Sequence, residues 1–379
     1  MNTEGFLIFF GVFWLALYVY GRVSLMKNKG VEVQPFLLLY RTKRFNQLFD
    51  RLAYRYQRGW RIFFDAGVAL ALGEIAYGAY FFMTNFLALL SRPETAGRVI
   101  LLIPGVTVGL QTLPFILIAL AIVLVAHEGS HGISSRLEQI PVKSSGVFFF
   151  LFLPGAFVEP DDEAFKSSRL TSKLRVMAAG SLGNLAVAFV VSILILMLFT
   201  GPSGILILRL RQGGPAQIAG MHEWDVIQSI DGTPIRTWED LQSYMNSVRA
   251  GSVLTITTQR GIFQIVARDP QNASRAIIGL ESYGSVEYYP VRGGVQKPQY
   301  EYNLLATLSW IQNLSIWVAV VNMLPIYPMD GEKFTTAILS RFLPRRANLF
   351  RALITGLFLF IFTSNILLSF FRFEFLPLP

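Results

Sequence analysis

Long apolar runs separated by shorter polar stretches dominate the chain. The first, Gly5 to Val23, is just long enough at about 1.5 Å per residue to cross a hydrocarbon layer of about 30 Å. No basic segment precedes it and no small-x-small cleavage site follows, so it reads as a membrane anchor rather than a removed leader. Further spans are expected over 62–90, 112–131, 175–200, 304–324 and 351–371, which makes six. Five or seven are the alternatives, because Pro104, Gln111 and Pro114 interrupt the region from Val99 to Ala126. Residues 99–110 are expected to form a partial or tilted element.

Two segments break this pattern. Ser145 to Pro160 is apolar but divided by Pro154-Gly155, and each half is too short to span. It is expected to be a re-entrant hairpin or extended strand pair, whose backbone must be satisfied by protein or a polar cavity. From Pro202 to Gly284 the periodicity becomes that of a small α+β domain. Strands are expected at 205–210, 225–230, 253–258 and 262–267, with a turn at Asp231-Gly232. Thr237 caps a helix over 238–248, with Asp240 at the capping-box position. The expected fold is a polytopic α-helical membrane protein with a re-entrant hairpin and an inserted α+β domain. Its parts are a membrane portion 1–201, the inserted domain 202–284, a Tyr/Pro/Gly-rich linker 285–303 and a second membrane portion 304–379.

Composition agrees. Hydrophobic residues make up 53% and charged residues 15%, against about 25% charged in soluble chains. Of the net charge of +9, the stretch from Arg22 to Arg61 holds ten basic residues against Glu32 and Asp50. That concentration points to topology rather than to nucleic acid, for which no recognition element is present. With 22–61 in the cytoplasm, six spans put 131–173 and 330–351 on the same side and 202–303 outside. The stretch reads as a cytoplasmic anchor, and around Phe36 to Tyr40 it also permits an interfacial helix. Cysteine is absent, which excludes disulfides and thiolate chemistry.

The chemistry concentrates in His127-Glu128-Gly129-Ser130-His131. Imidazoles four apart share one helical face and can hold a single cation, and Glu128 beside them can take a proton from water. A third ligand must come from His222, an Asp or a Glu. His222 falls on the opposite side of the membrane in this topology. Asp330 follows Pro325 and Pro328 at the end of the penultimate span, on the same side as the histidines. His127, His131 and Asp330 are the expected ligands of one zinc ion per chain, with an open fourth position. Two rival readings are a scaffold protein with a vestigial site, and a transporter using Glu74, His127 and His131 as a path. No internal repeat supports the second.

Together HEGSH, PGAFV at 154–158, GSLGN at 180–184 and NMLPIYPMDG at 322–331 resemble the site-2 protease family of intramembrane zinc metalloproteases. Residues 202–284 resemble the PDZ domain of many members. The resemblance implies His127, His131 and Asp330 as zinc ligands, Glu128 as general base, Asn184 and Asn322 as contacts to substrate or oxyanion, and for Asn184 alternatively the orienting of groups around the ligands. It implies that the hairpin 145–158 pairs with an unwound substrate. The implied substrate is a single-span membrane protein, trimmed beforehand by another protease in regulated intramembrane proteolysis. The PDZ likeness implies a groove for a peptide or free C-terminus, or a filter above the site. Gly331-Glu332 departs from the Gly-Gly found in many members.

Overall fold

The computed structural model describes residues 3–23, 30–103, 107–151, 153–272, 274–281, 284–294 and 297–373. The chain opens with helix α1 (Thr3–Val23), a hairpin of β1 (Val31–Gln34) and β2 (Leu37–Thr42), and helices α2 (Asn46–Arg55) and α3 (Gln57–Ser91). Helix α4 (Leu113–Leu137), a hairpin of β3 (Val142–Phe150) and β4 (Leu153–Pro160), the short α5 (Asp162–Ser167) and the long α6 (Leu170–Leu198) follow. Next come β5 (Ile205–Ile207), α7 (Pro215–Ile218), β6 (Val226–Ile230), β7 (Thr233–Pro234), α8 (Trp238–Ser247), β8 (Val253–Thr258), β9 (Ile262–Val266) and β10 (Ser285–Glu287). The last helices are α9 (Pro298–Asn322), α10 (Asp330–Phe342) and α11 (Ala347–Arg372).

Among the described residues, five helices are long and apolar enough to cross a membrane: α3, α4, α6, α9 and α11. They fall on the five expected spans after the first. Helix α1 covers the residues of the first expected span, Gly5 to Val23. Residues 96–103 form no regular element, in place of the expected partial one, and Pro104 lies outside the described residues. The chain is an integral membrane protein.

The chain divides into two compact units, one comprising residues 1–110, 117–189 and 311–378, the other 111–116 and 190–310 with 379. In the first, small residues let the helices approach closely. A Cβ at Gly67 would meet Leu182 Cδ2 at 2.7 Å, and one at Gly78 would meet Leu324 Cδ2 at 2.8 Å. Buried amides add specific links, since Asn85 Nδ2 donates to Asn365 Oδ1 at 2.9 Å, joining α3 to α11.

A four-stranded antiparallel sheet, ordered β1-β2-β3-β4, belongs to this unit. The basic stretch is thus partly strand: residues 37–42 pair with β3 and form no interfacial helix. The short continuous apolar run Leu37 to Tyr40 suits a strand once the Phe-rich β3 supplies its partner. The segment expected to bend at Pro154-Gly155 bends earlier, around Leu151 with φ 55°. Pro154 and Gly155 lie within β4, opposite Phe149 and Phe148. The Phe148 ring occupies the space a side chain at 155 would fill. Proline is tolerated because its nitrogen faces the open edge of an edge strand. Since β3 lies between β2 and β4, the free edge belongs to β4, not to the whole of 145–158.

The second unit contains a six-stranded sheet, ordered β10-β5-β6-β8-β9 with β7 on β6. Ile205, Ile207, Ile227, Ile230, Ile235 and Ile256 are fully buried in its core. Each contributes on the order of 2 kcal/mol as an upper bound. Thr237 and Asp240 form the expected capping box of α8. Residues 285–287 join the sheet beside β5 rather than the linker, because β10 covers an otherwise open edge.

Candidate active site

The first unit brings the three expected ligands together. His127 and His131 lie four residues apart on α4 and Asp330 opens α10. His131 Nε2 is 3.2 Å from His127 Nε2 and 2.9 Å from Asp330 Oδ2, and His127 Nε2 is 3.2 Å from the same oxygen. Tetrahedral zinc with bonds of about 2.0–2.1 Å separates its donors by roughly 3.3 Å. The donor set therefore fits a zinc ion. Both imidazoles are buried, and burial without such a partner is costly. Burial works against ionisation of Asp330, and the two imidazoles outweigh it, holding the carboxyl well below the usual range.

Helix α6 sets the orientation of both rings. His131 Nδ1 donates to the Val176 carbonyl at 2.7 Å, which leaves Nε2 with its lone pair towards the cluster. His127 Nδ1 lies 3.2 Å from the Asn184 side-chain amide. As placed, that amide turns its nitrogen to the ring and leaves Oδ1 buried without a hydrogen-bond partner. Exchanging the two ends, which are alike in shape, gives Nδ1–H an acceptor and satisfies the oxygen. Gly180 and Gly183 let α6 lie against α4: a Cβ at 180 would overlap both imidazoles, and one at 183 would meet the Ala126 carbonyl at 2.7 Å.

Glu128 is partly buried beside the ligands, and its Oε2 accepts from the Val158 amide of β4 at 2.7 Å. That bond fixes the carboxylate and shows which way β4 faces. Groups two apart on a strand share a side, so Ala156 N–H and C=O and Pro154 C=O also point off the free edge. On the opposite side of α4, Arg136 is paired with Asp50 through two hydrogen bonds, the Nη2–Oδ2 distance being 2.7 Å. The ring of Phe49 packs on Gly132. These contacts hold the histidine-bearing turn against α2.

Asn184 thus touches a ligand ring rather than an open space for substrate. Asn322 ends α9, and its side chain bonds to none of the three ligand residues among the described contacts. His222 is placed in the second unit, 2.6 Å from Arg260 Nη2. Sequence reasoning did not identify Val158 N–H, Val176 C=O or Gly180 as parts of the site. Two act through the backbone, which no side-chain pattern marks, and the third through having no side chain.

Known proteins point the same way. An uncharacterised protein of Methanocaldococcus jannaschii is 28% identical over 244 residues, covering 63% of this chain and 60% of that protein. The zinc metalloprotease RasP of Bacillus licheniformis is 28% identical over 169 residues, 44% of this chain and 39% of RasP. The regulator of sigma-W protease RasP of Bacillus subtilis is 29% identical over 113 residues, 30% and 26% respectively. The chain thus spans less than two thirds of the length of these relatives. The family model described as Peptidase family M50 matches residues 115–363, well over half of the chain and every residue of the cluster. With two imidazoles, a carboxylate and an adjacent Glu converging inside the matched region, the chain belongs to Peptidase family M50, the site-2 protease family.

Proposed function

We propose that this protein is a zinc-dependent endopeptidase that hydrolyses a peptide bond within or near a membrane-spanning segment of its substrate. The observation that carries the reading is the convergence of His127 Nε2, His131 Nε2 and Asp330 Oδ2 beside the anchored carboxylate of Glu128. Zinc held by those three groups would supply Lewis acidity at its open position and activate water there. Glu128 then takes the proton of the attacking water and returns it to the leaving nitrogen. Its bond to Val158 leaves the other carboxylate oxygen for this work. Asn184 holds the His127 ring and its tautomer, a positioning role.

The substrate helix must open before its carbonyl can be attacked. The free edge of β4 suits an extended segment, with Ala156 offering both a donor and an acceptor and Pro154 a further acceptor. Pairing there offsets part of the cost of breaking helical hydrogen bonds. Short-loop charges favour a site towards the cytoplasm. The likeness to a zinc metalloprotease and to a regulator of sigma-W protease supports a zinc protease and, in the second, a regulatory setting. We read the substrate as a single-span membrane protein already trimmed by another protease. We read 202–284 as a PDZ-like domain that limits access or binds a peptide end.

The test uses purified full-length protein and a model single-span substrate. Glu128→Gln should retain its zinc while cleavage falls by about 10²–10⁴-fold. Equal activity would remove Glu128 as the base. Undiminished zinc after His127→Ala and His131→Ala together would remove the ligand assignment.

A further inference from the structure

A cleft of about 560 Å³ opens in the first unit beside the loop that leads to Asp330. Lys166, Lys173, Lys333, Arg341 and Arg351 line it against a single acid, Glu332. That acid is already engaged: its buried carboxylate is ion-paired with Arg351 and accepts from Thr336 Oγ1 at 3.1 Å. Lys166 has Glu163 at 3.6 Å on its own short helix. Lys173, Lys333 and Arg341 form no ion pair among the described residues. Cations gathered on one concave surface repel one another until an anion joins them.

The setting narrows the choice of anion. Lys173 lies on the first turn of α6 and Arg351 on the early turns of α11, and both helices are long and apolar enough to span. Their N-terminal ends line one cleft, so they share a membrane face. Hydrocarbon gives way to phosphate at that level, and Phe165 and Leu170 provide an apolar wall beside the charges. A zwitterionic headgroup would bring its own cation into the cleft, whereas a headgroup of net negative charge would not. We propose that the cleft binds the phosphate of an anionic phospholipid headgroup. Binding there fixes the first turn of α10, which carries Glu332 and Lys333 into the cleft and begins at Asp330. The headgroup site stands without any proteolysis, and its effect on cleavage rests on the function proposed above.

The test uses the full-length Glu128→Gln protein in nanodiscs of phosphatidylcholine, with or without phosphatidylglycerol. Lipid retained after detergent exchange is counted by native mass spectrometry. Phosphatidylglycerol should be retained in preference to phosphatidylcholine. Lys173→Gln, Lys333→Gln and Arg341→Gln should each weaken retention about fivefold, and together roughly 100-fold. The charge-conserving set Lys173→Arg, Lys333→Arg and Arg341→Lys should retain it, and so should Arg345→Gln with Arg346→Gln, which removes nearby charge outside the cleft. If inorganic pyrophosphate binds in phosphatidylcholine discs while phosphatidylglycerol is not retained, the ligand is a free phosphate and the lipid assignment falls. No binding of either, or undiminished retention by the triple Gln variant, refutes the site. With Glu128 intact, cleavage should be faster in phosphatidylglycerol discs, and the triple Gln variant should lose that gain at unchanged zinc content. An unchanged rate in both discs would refute the coupling. Absence of all cleavage would overturn the proposed function and leave the lipid count to decide the site.

Discussion

Gly180→Ala is a small change at the most exacting position beside the site. The new Cβ would lie 2.5 Å from His127 Nε2 and 2.5 Å from His131 Nε2. Ordinary nonbonded contact needs about 3.5 Å, so both nitrogens must retreat by about 1 Å. A zinc site tolerates displacements of roughly 0.2 Å. The rings cannot simply turn aside, because Val176 and Asn184 on the same helix hold their other nitrogens. Zinc affinity should therefore fall by about 100-fold, the upper end of what disturbing a ligand's support costs, or about 2.7 kcal/mol. Competition with a chromogenic chelator measures it on the purified full-length protein. Alanine favours a helix over glycine by about 1 kcal/mol, so a weakened α6 would not explain the loss, and circular dichroism checks this. Wild-type zinc affinity in the variant would refute the claim that close approach of α6 sets the donor spacing.

Four other outcomes follow from the geometry. Asn184→Leu should weaken zinc binding by about 10–100-fold and Asn184→Asp should restore most of it, since a carboxylate also accepts from His127 Nδ1–H; chelator competition reads both. Ala156→Pro removes an amide from the free edge of β4 and should lower cleavage about tenfold with zinc content unchanged, as measured on a single-span substrate. In the second unit, Thr237→Ala removes the cap of α8 and should cost about 1 kcal/mol, seen as about fivefold faster amide exchange across the first turn of that helix. The Asp240 carboxyl is held below the usual range by the amides of Arg236 and Thr237. Its share of the cap is therefore complete at neutral pH and is lost as pH falls below about 4 through the lowered value, which exchange measured against pH would show.

Much of this arrangement is legible from residue order alone. A span depends on some twenty apolar residues in a row, and α3, α4, α6, α9 and α11 stand where the runs stand. His127 and His131 share a face through helical periodicity, and Glu128 comes with them. Asp330 was reachable through topology, because an even number of crossings returns the chain to the same side. Contacts between distant segments were not legible. Residues 37–42 look like charged anchor or interfacial helix until β3 is placed beside them, since strand identity depends on a partner. The turn at Leu151 rather than Pro154 followed from register, which pairs Gly155 with Phe148. Asn184 became a support for His127, Val158 an anchor for Glu128 and Gly180 the seat of both rings only once α4, α6 and β4 had met. Side-chain chemistry is written along the chain, whereas backbone donors and the space left by a glycine acquire meaning from what the fold packs against them.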